Sequence, residues 1–97
     1  MSIGKINNTE GAANYLGILG HPTRLIILDE LTRSSKLSVS EVTKLVNESQ
    51  PLVSYHLLLL KSSGLINANK KGRTIYYSIS DAATKELIKR ILNLLGL

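Results

Sequence analysis

The chain has 97 residues, 43% of them hydrophobic, with four Tyr and neither Phe nor Trp, so one domain with a core of Leu, Ile, Val and Ala in packed helices is expected. Its net charge of +5, from 12 basic and 7 acidic side chains, points to a polyanionic partner. The absence of Cys excludes disulfides, thiolate metal sites and thiol redox sensing, and no apolar run approaches the roughly 20 residues that cross a bilayer, so a cytoplasmic protein without membrane association is expected.

Residues 1–8 lack periodicity and read as a flexible leader ahead of a domain spanning 9–97. Asn8 or Thr9 can cap a first helix to about Leu19, with Ala13, Leu16, Tyr15 and Leu19 on its apolar side. Gly11 and Gly17 in that helix suggest close approach of another backbone. Gly20-His21-Pro22 breaks the chain, and Pro22 suits the first position of a second helix to about Arg33, with Leu25, Ile27, Leu28 and Leu31 inward. His21 reads as a turn residue rather than a metal ligand, because His56 is the only other His and Cys is absent.

Ser38-Val39-Ser40-Glu41 has the form of a capping box. A third helix follows to about Val46, with Val42, Leu45 and Val46 as its buried face. After the polar turn Asn47 to Ser49, Pro51 can begin a fourth helix. At about 100° per residue, Leu52, Val53, His56, Leu57, Leu59, Leu60 and Ser63 share a core-facing arc. Gln50, Pro51, Ser54, Tyr55, Leu58, Lys61 and Ser62 share the opposite one.

Gly64 fits a helix C′ position. Beyond it, Leu65, Ile66 and Ala68 lead into Lys70-Lys71-Gly72-Arg73, and Ile75, Tyr77 and Ile79 alternate with Thr74, Tyr76 and Ser78. That pattern predicts a β-hairpin with a basic turn. From Ser49 through Ser80 there is no acidic residue, while Lys61, Lys70, Lys71 and Arg73 all fall within. Ser80 or Asp81 can cap a last helix, in which Leu87, Ile88, Ile91, Leu92, Leu94 and Leu95 cover more surface than one neighbour hides. Dimerisation would bury the remainder.

Two helices joined by a polar turn, the second opening on small polar residues, form a helix-turn-helix. Its N-terminus suits phosphate, and Gln50 can bond a base edge in two places. The fold class is therefore mainly α with a β-hairpin, in the order α-α-α-α-β-β-α, a winged helix-turn-helix.

His21-Pro22-Thr23-Arg24-Leu25-Ile26-Ile27-Leu28, Ser49-Gln50-Pro51-Leu52-Val53-Ser54-Tyr55-His56-Leu57 and Gly72-Arg73-Thr74-Ile75-Tyr76-Tyr77 resemble, in order and spacing, the ArsR/SmtB winged-helix repressors. The likeness runs from about residue 12 onward. It implies a homodimer joined by the first and last helices, through Ala13, Leu16, Leu87, Ile88, Ile91, Leu92 and Leu95. It also implies a fourth helix in the major groove of double-stranded DNA, with contacts from Ser49, Gln50, Pro51, Ser54 and Tyr55, and a hairpin wing carrying Lys70, Lys71 and Arg73. Pro51 stands where the family often has Ser, and Tyr55 where His or Gln is common.

Many members begin the third helix with Cys-x-Cys, but here the segment reads Leu37-Ser38-Val39-Ser40, and hydroxyls do not replace thiolates for a soft cation. In the family's second site, on the last helix, Asp81 stays, Ala83 replaces the first His, and the later ligands fall near Leu94 and Leu97. No metal and no cofactor is expected. The resemblance implies a transcriptional repressor on a palindromic operator. Non-specific DNA architecture, or a protein-interaction module anchored at Leu58, stays open beside it. No nucleophile and base pair suggests an enzyme. His56 is placed towards the core beside a backbone partner, and Arg24 either pairs with Asp29 or Glu30 or contacts phosphate. A small-molecule or protein effector, pH acting on His21 or His56, or no effector are all left open.

Overall fold

The computed structural model describes residues 7–97; the expected leader falls largely on residues 1–6 and so lies outside them. Asn8, at the edge of that leader, is the N-cap of α1 (Thr9–Leu19), its side chain accepting from the Gly11 N–H at 2.7 Å. A Cβ on Gly11 would stand 3.2 Å from the same Asn8 oxygen, so the glycine keeps the cap clear. Among the described residues, nothing beyond the helix's own backbone lies within 4 Å of a Cβ built on Gly17. Tyr15 and Leu19, four residues apart and so on one stripe, turn into the core, while Ala13 and Leu16 stay exposed.

Helix α2 (Pro22–Arg33) begins at the expected proline. His21 is its N-cap, the imidazole Nδ1 accepting from Thr23 N–H at 3.1 Å. Ile27, Leu28 and Leu31 are buried, and Arg33 pairs on the surface with Asp29 at 2.7 Å and Glu30 at 3.4 Å.

The sheet departs from the expected two strands. A two-residue strand, β1 (Leu37–Ser38), lies against β3 (Thr74–Ile79), with Leu37 opposite Tyr77 and Ser38 opposite Tyr76, giving the order β1-β3-β2. Two residues are too few to show alternation in sequence, and a strand of that length is defined only by its partner. β2 (Ile66–Lys71) and β3 form the hairpin in a register that runs from Ile66 opposite Ile79 to Lys71 opposite Thr74.

Ser38 ends β1 and also caps α3 (Val39–Val46). Its hydroxyl accepts from Glu41 N–H at 3.2 Å, and the Glu41 carboxylate accepts from Ser38 N–H at 2.9 Å. The helix buries Val42 and packs Val39 and Val46 against the core, but Leu45, expected inside, lies off that stripe and is exposed. Asn47, at φ 54°, turns the chain into α4 (Gln50–Ser62). Gly64, at φ 81°, ends α4 in a Schellman motif: its N–H reaches Lys61 O at 3.0 Å and Leu65 N–H reaches Leu60 O at 3.1 Å.

α5 (Ala82–Leu94) is capped by Asp81, whose carboxylate accepts from Thr84 N–H at 2.7 Å. It lays Thr84, Ile88 and Leu92 into the core with Ile27, Leu28 and Leu31 of α2 and Val53, Leu57 and Leu60 of α4. The backbone N–H of Thr84, above all, holds the Asp81 carboxyl below the usual carboxylate range. A depressed carboxylate contributes stability at pH values above its unfolded pKa and loses it as pH falls through the lower folded value. Thermal melts from neutral to acid pH should therefore show wild type losing melting temperature faster than Asp81→Asn below about pH 4, since Asn caps without titrating. Parallel curves would show that the cap charge carries no acid sensitivity.

Candidate nucleic-acid interface

α4 presents two surfaces. Val53, His56, Leu57 and Leu60 are buried, and Gln50, Pro51, Ser54, Tyr55, Leu58, Lys61 and Ser62 are exposed. Leu52 was expected on the core arc but is 43% exposed, and Leu59 is half-buried. Leu52 lies in the first turn of α4, where Val53 beside it is the residue that enters the core. The first turn carries no acidic residue. Ser49 is the N-cap yet makes no side-chain cap bond, which leaves its hydroxyl available to an outside acceptor. Pro51 has no N–H to give, so polar contacts at this end fall to Ser49 and Gln50.

The hairpin tip is tight. Lys71 pairs with Thr74, and Gly72 and Arg73 make the two-residue connection. Gly72 has φ +63° and Arg73 has no positive φ, as in a type II′ turn, whose twist suits a hairpin and whose first central position calls for glycine. Lys70, Lys71 and Arg73 are all exposed. An open groove of about 850 Å³ runs between the wing and the start of α3, and both Gln50 and Arg73 line it, with Thr74 and Tyr76. The groove therefore joins one residue of the reading helix to the basic turn, although they are 23 positions apart in sequence.

Lys36 also lines this groove, with its ammonium 4.4 Å from the centre of the Tyr76 ring. Sequence reading missed it, because it is an isolated cation in a loop, and only the β1 to β3 pairing brings it to the wing. Glu41 is the acidic member of the same lining. Hydrogen bonding from Ser38, backbone first, keeps its carboxyl below the ordinary range, so it stays ionised and bound to its cap.

Behind the exposed arc lies a polar cluster. Arg24 does not pair with Asp29 or Glu30. Its Nε donates to Ile18 O at 2.6 Å and its Nη1 lies 3.3 Å from His56 Nδ1. His56 is 2% exposed, as its helical phase suggested, but its neighbours are side chains rather than a backbone group. Glu48 Oε2 is 4.0 Å from His56 Nε2, while Glu48 Oε1 accepts a short hydrogen bond from the Thr23 hydroxyl.

Ile88 and Leu92, expected at a dimer interface, are buried in the protomer's own core, because the 84, 88, 92 stripe of α5 faces α2. Leu87 and Ile91 are half-buried against that core. The apolar side chains left exposed on α1 and at the end of the chain are Ala13, Leu16, Leu94, Leu95 and Leu97, with Leu94 87% exposed.

A helix-turn-helix formed by α3 and α4, flanked by a basic hairpin beside the exposed end of α4, defines a winged helix-turn-helix DNA-binding protein. The family described as "Bacterial regulatory protein, arsR family" matches residues 21–68, from the α2 cap into β2. An uncharacterized HTH-type transcriptional regulator of Methanocaldococcus jannaschii, MJ1325, is 37% identical over 82 residues, covering 84% of this chain and 92% of that one. The crystal structure of the transcriptional repressor PagR of Bacillus anthracis superposes with a TM-score of 0.73 at 32% identity, over 84% of this chain and 93% of that one. The homodimeric winged helix-turn-helix DNA-binding domain Mb0332 of Mycobacterium bovis does so with a TM-score of 0.83 at 25% identity, over 99% and 88%. The chain belongs to the ArsR family of transcriptional regulators.

Proposed function

We propose that the chain acts in the cytoplasm as a homodimeric repressor that occupies a palindromic operator, reading bases with Gln50, Ser54 and Tyr55 and holding phosphate with Ser49, Lys70, Lys71 and Arg73. The carrying observation is the groove that Gln50 and Arg73 share, since a duplex lying along it would meet a base reader and a cation together. Lys36, on the same lining, adds a further phosphate contact. The apolar side chains exposed on α1 and after α5 supply the dimer surface, and the homodimeric architecture of the Mb0332 domain supports this. Repression is supported by PagR, a transcriptional repressor by its description. Among the described residues no helix is long and apolar enough to cross a membrane.

Selection of bound fragments from the source genome, followed by competition against random duplex at fixed salt, tests the reading. A specific regulator should prefer its operator by about 10³-fold or more, with half-site centres roughly 34 to 36 Å or a multiple apart. A ratio near unity would instead indicate an architectural DNA binder. Arg73→Ala should weaken operator and random duplex alike and lower the slope of log K against log salt by about one per protomer. A loss confined to the operator would make Arg73 a base reader.

A further inference from the structure

Arg24 bridges α1 and α4: its Nε holds the last turn of α1 through Ile18 O, and its Nη1 meets His56 on the back of α4. A guanidinium has only donors. The atom it meets, His56 Nδ1, must therefore be the acceptor, which puts the ring proton on Nε2. Nε2 faces Glu48 Oε2 across 4.0 Å, and among the described residues neither atom has a hydrogen-bond partner although both are buried. Glu48 directly precedes Ser49 and Gln50, and its other oxygen is tied to Thr23 on α2.

We propose that Arg24 and His56 form a proton-sensitive coupling that positions the N-terminal end of the reading helix, so that protonation of His56 lowers operator affinity. A proton on Nδ1 sets an N–H against the Arg24 N–H, so the contact opens and α1 loses its tie to α4. The imidazolium is then drawn towards Glu48, on the turn that sets Ser49 and Gln50. Four side chains face the ring: His21, the N-cap of α2, tilted against it at 48° with centroids 4.4 Å apart; Arg24 from α2; Glu48 from the α3 to α4 turn; and Tyr55, edge-on from its own helix at 5.6 Å. Burial first, then the nearby His21 and Arg24, hold the His56 pKa below its ordinary value, against the pull of Glu48. The coupled state is thus the neutral-pH state and is lost on acidification.

The proposal rests on the reading of Ser49 and Gln50 as the operator-contacting end of α4, and His56→Asn tests it separately. Asn can place its amide oxygen near Nδ1, accepting from Arg24 without titrating. Operator and random-duplex affinities are measured for both proteins at about pH 7.5 and about pH 5. Wild type should lose operator affinity by about tenfold or more relative to the change in His56→Asn, as expected when each protomer must shed a proton to bind. An equal loss in both proteins assigns the response to His21 or the carboxylates and overturns the coupling. The absence of any operator preference at neutral pH would instead overturn the DNA-reading function itself.

The ring ¹⁵N shifts of wild-type His56 provide a check that needs no variant. A bare Nδ1 with Nε2–H at neutral pH supports the coupling, and an Nδ1–H tautomer excludes it.

Discussion

Gln50→Ala should raise the operator dissociation constant by the equivalent of about 1–3 kcal/mol for each half-site, and should flatten discrimination at the base pair it contacts. The side chain is exposed at the first position of α4, in a turn without acid, and it borders the groove that Arg73 closes on the other side. An amide can donate and accept at once, matching the adjacent groups of an adenine edge, and truncation leaves that edge without its protein partner. Fold stability should hardly change, because Gln50 is exposed. A binding isotherm on the operator and on all single substitutions of one half-site gives both quantities. Unchanged affinity with unchanged base preference would remove α4 as the reader, whereas a uniform loss at every position would recast Gln50 as a phosphate contact.

That prediction could be made because the helical phase of α4 was legible. Every residue placed on the outward arc is exposed, and Val53, His56, Leu57 and Leu60 are buried as placed. The capping box at Ser38 and the glycine end at Gly64 were legible for the same reason: each depends on residues within a few positions of one another. What was hidden depended on distant partners. β1 exists only through Tyr76 and Tyr77, Lys36 reaches the wing only through β1, and Arg24 turns from its near carboxylates to Ile18 and to His56, 32 positions away. Helical period also cannot say which of two apolar stripes the protomer will claim. Ile88 and Leu92 read as well for a partner surface, and the chain's own α2 buries them first.

The same phase predicts the sharpest contrast in stability, between adjacent leucines. Leu57 is 1% exposed within the core, and Leu58 is 59% exposed on the outward arc. Leu57→Ala removes methyl groups from a packed interior that cannot fully close around the gap, and should cost about 2–5 kcal/mol. For a domain of this size that corresponds to a fall in melting temperature of roughly ten degrees or more. Leu58→Ala exchanges one exposed side chain for a smaller one and should stay within about 0.5 kcal/mol. Denaturant unfolding at one fixed protein concentration, which holds any dimer contribution constant, measures both variants. Equal costs would mean that Leu58 is covered in solution by a second surface. If Leu58→Ala keeps its stability, any loss of operator affinity it shows can be assigned to contact with DNA rather than to the fold, which makes it the control for every substitution on this face.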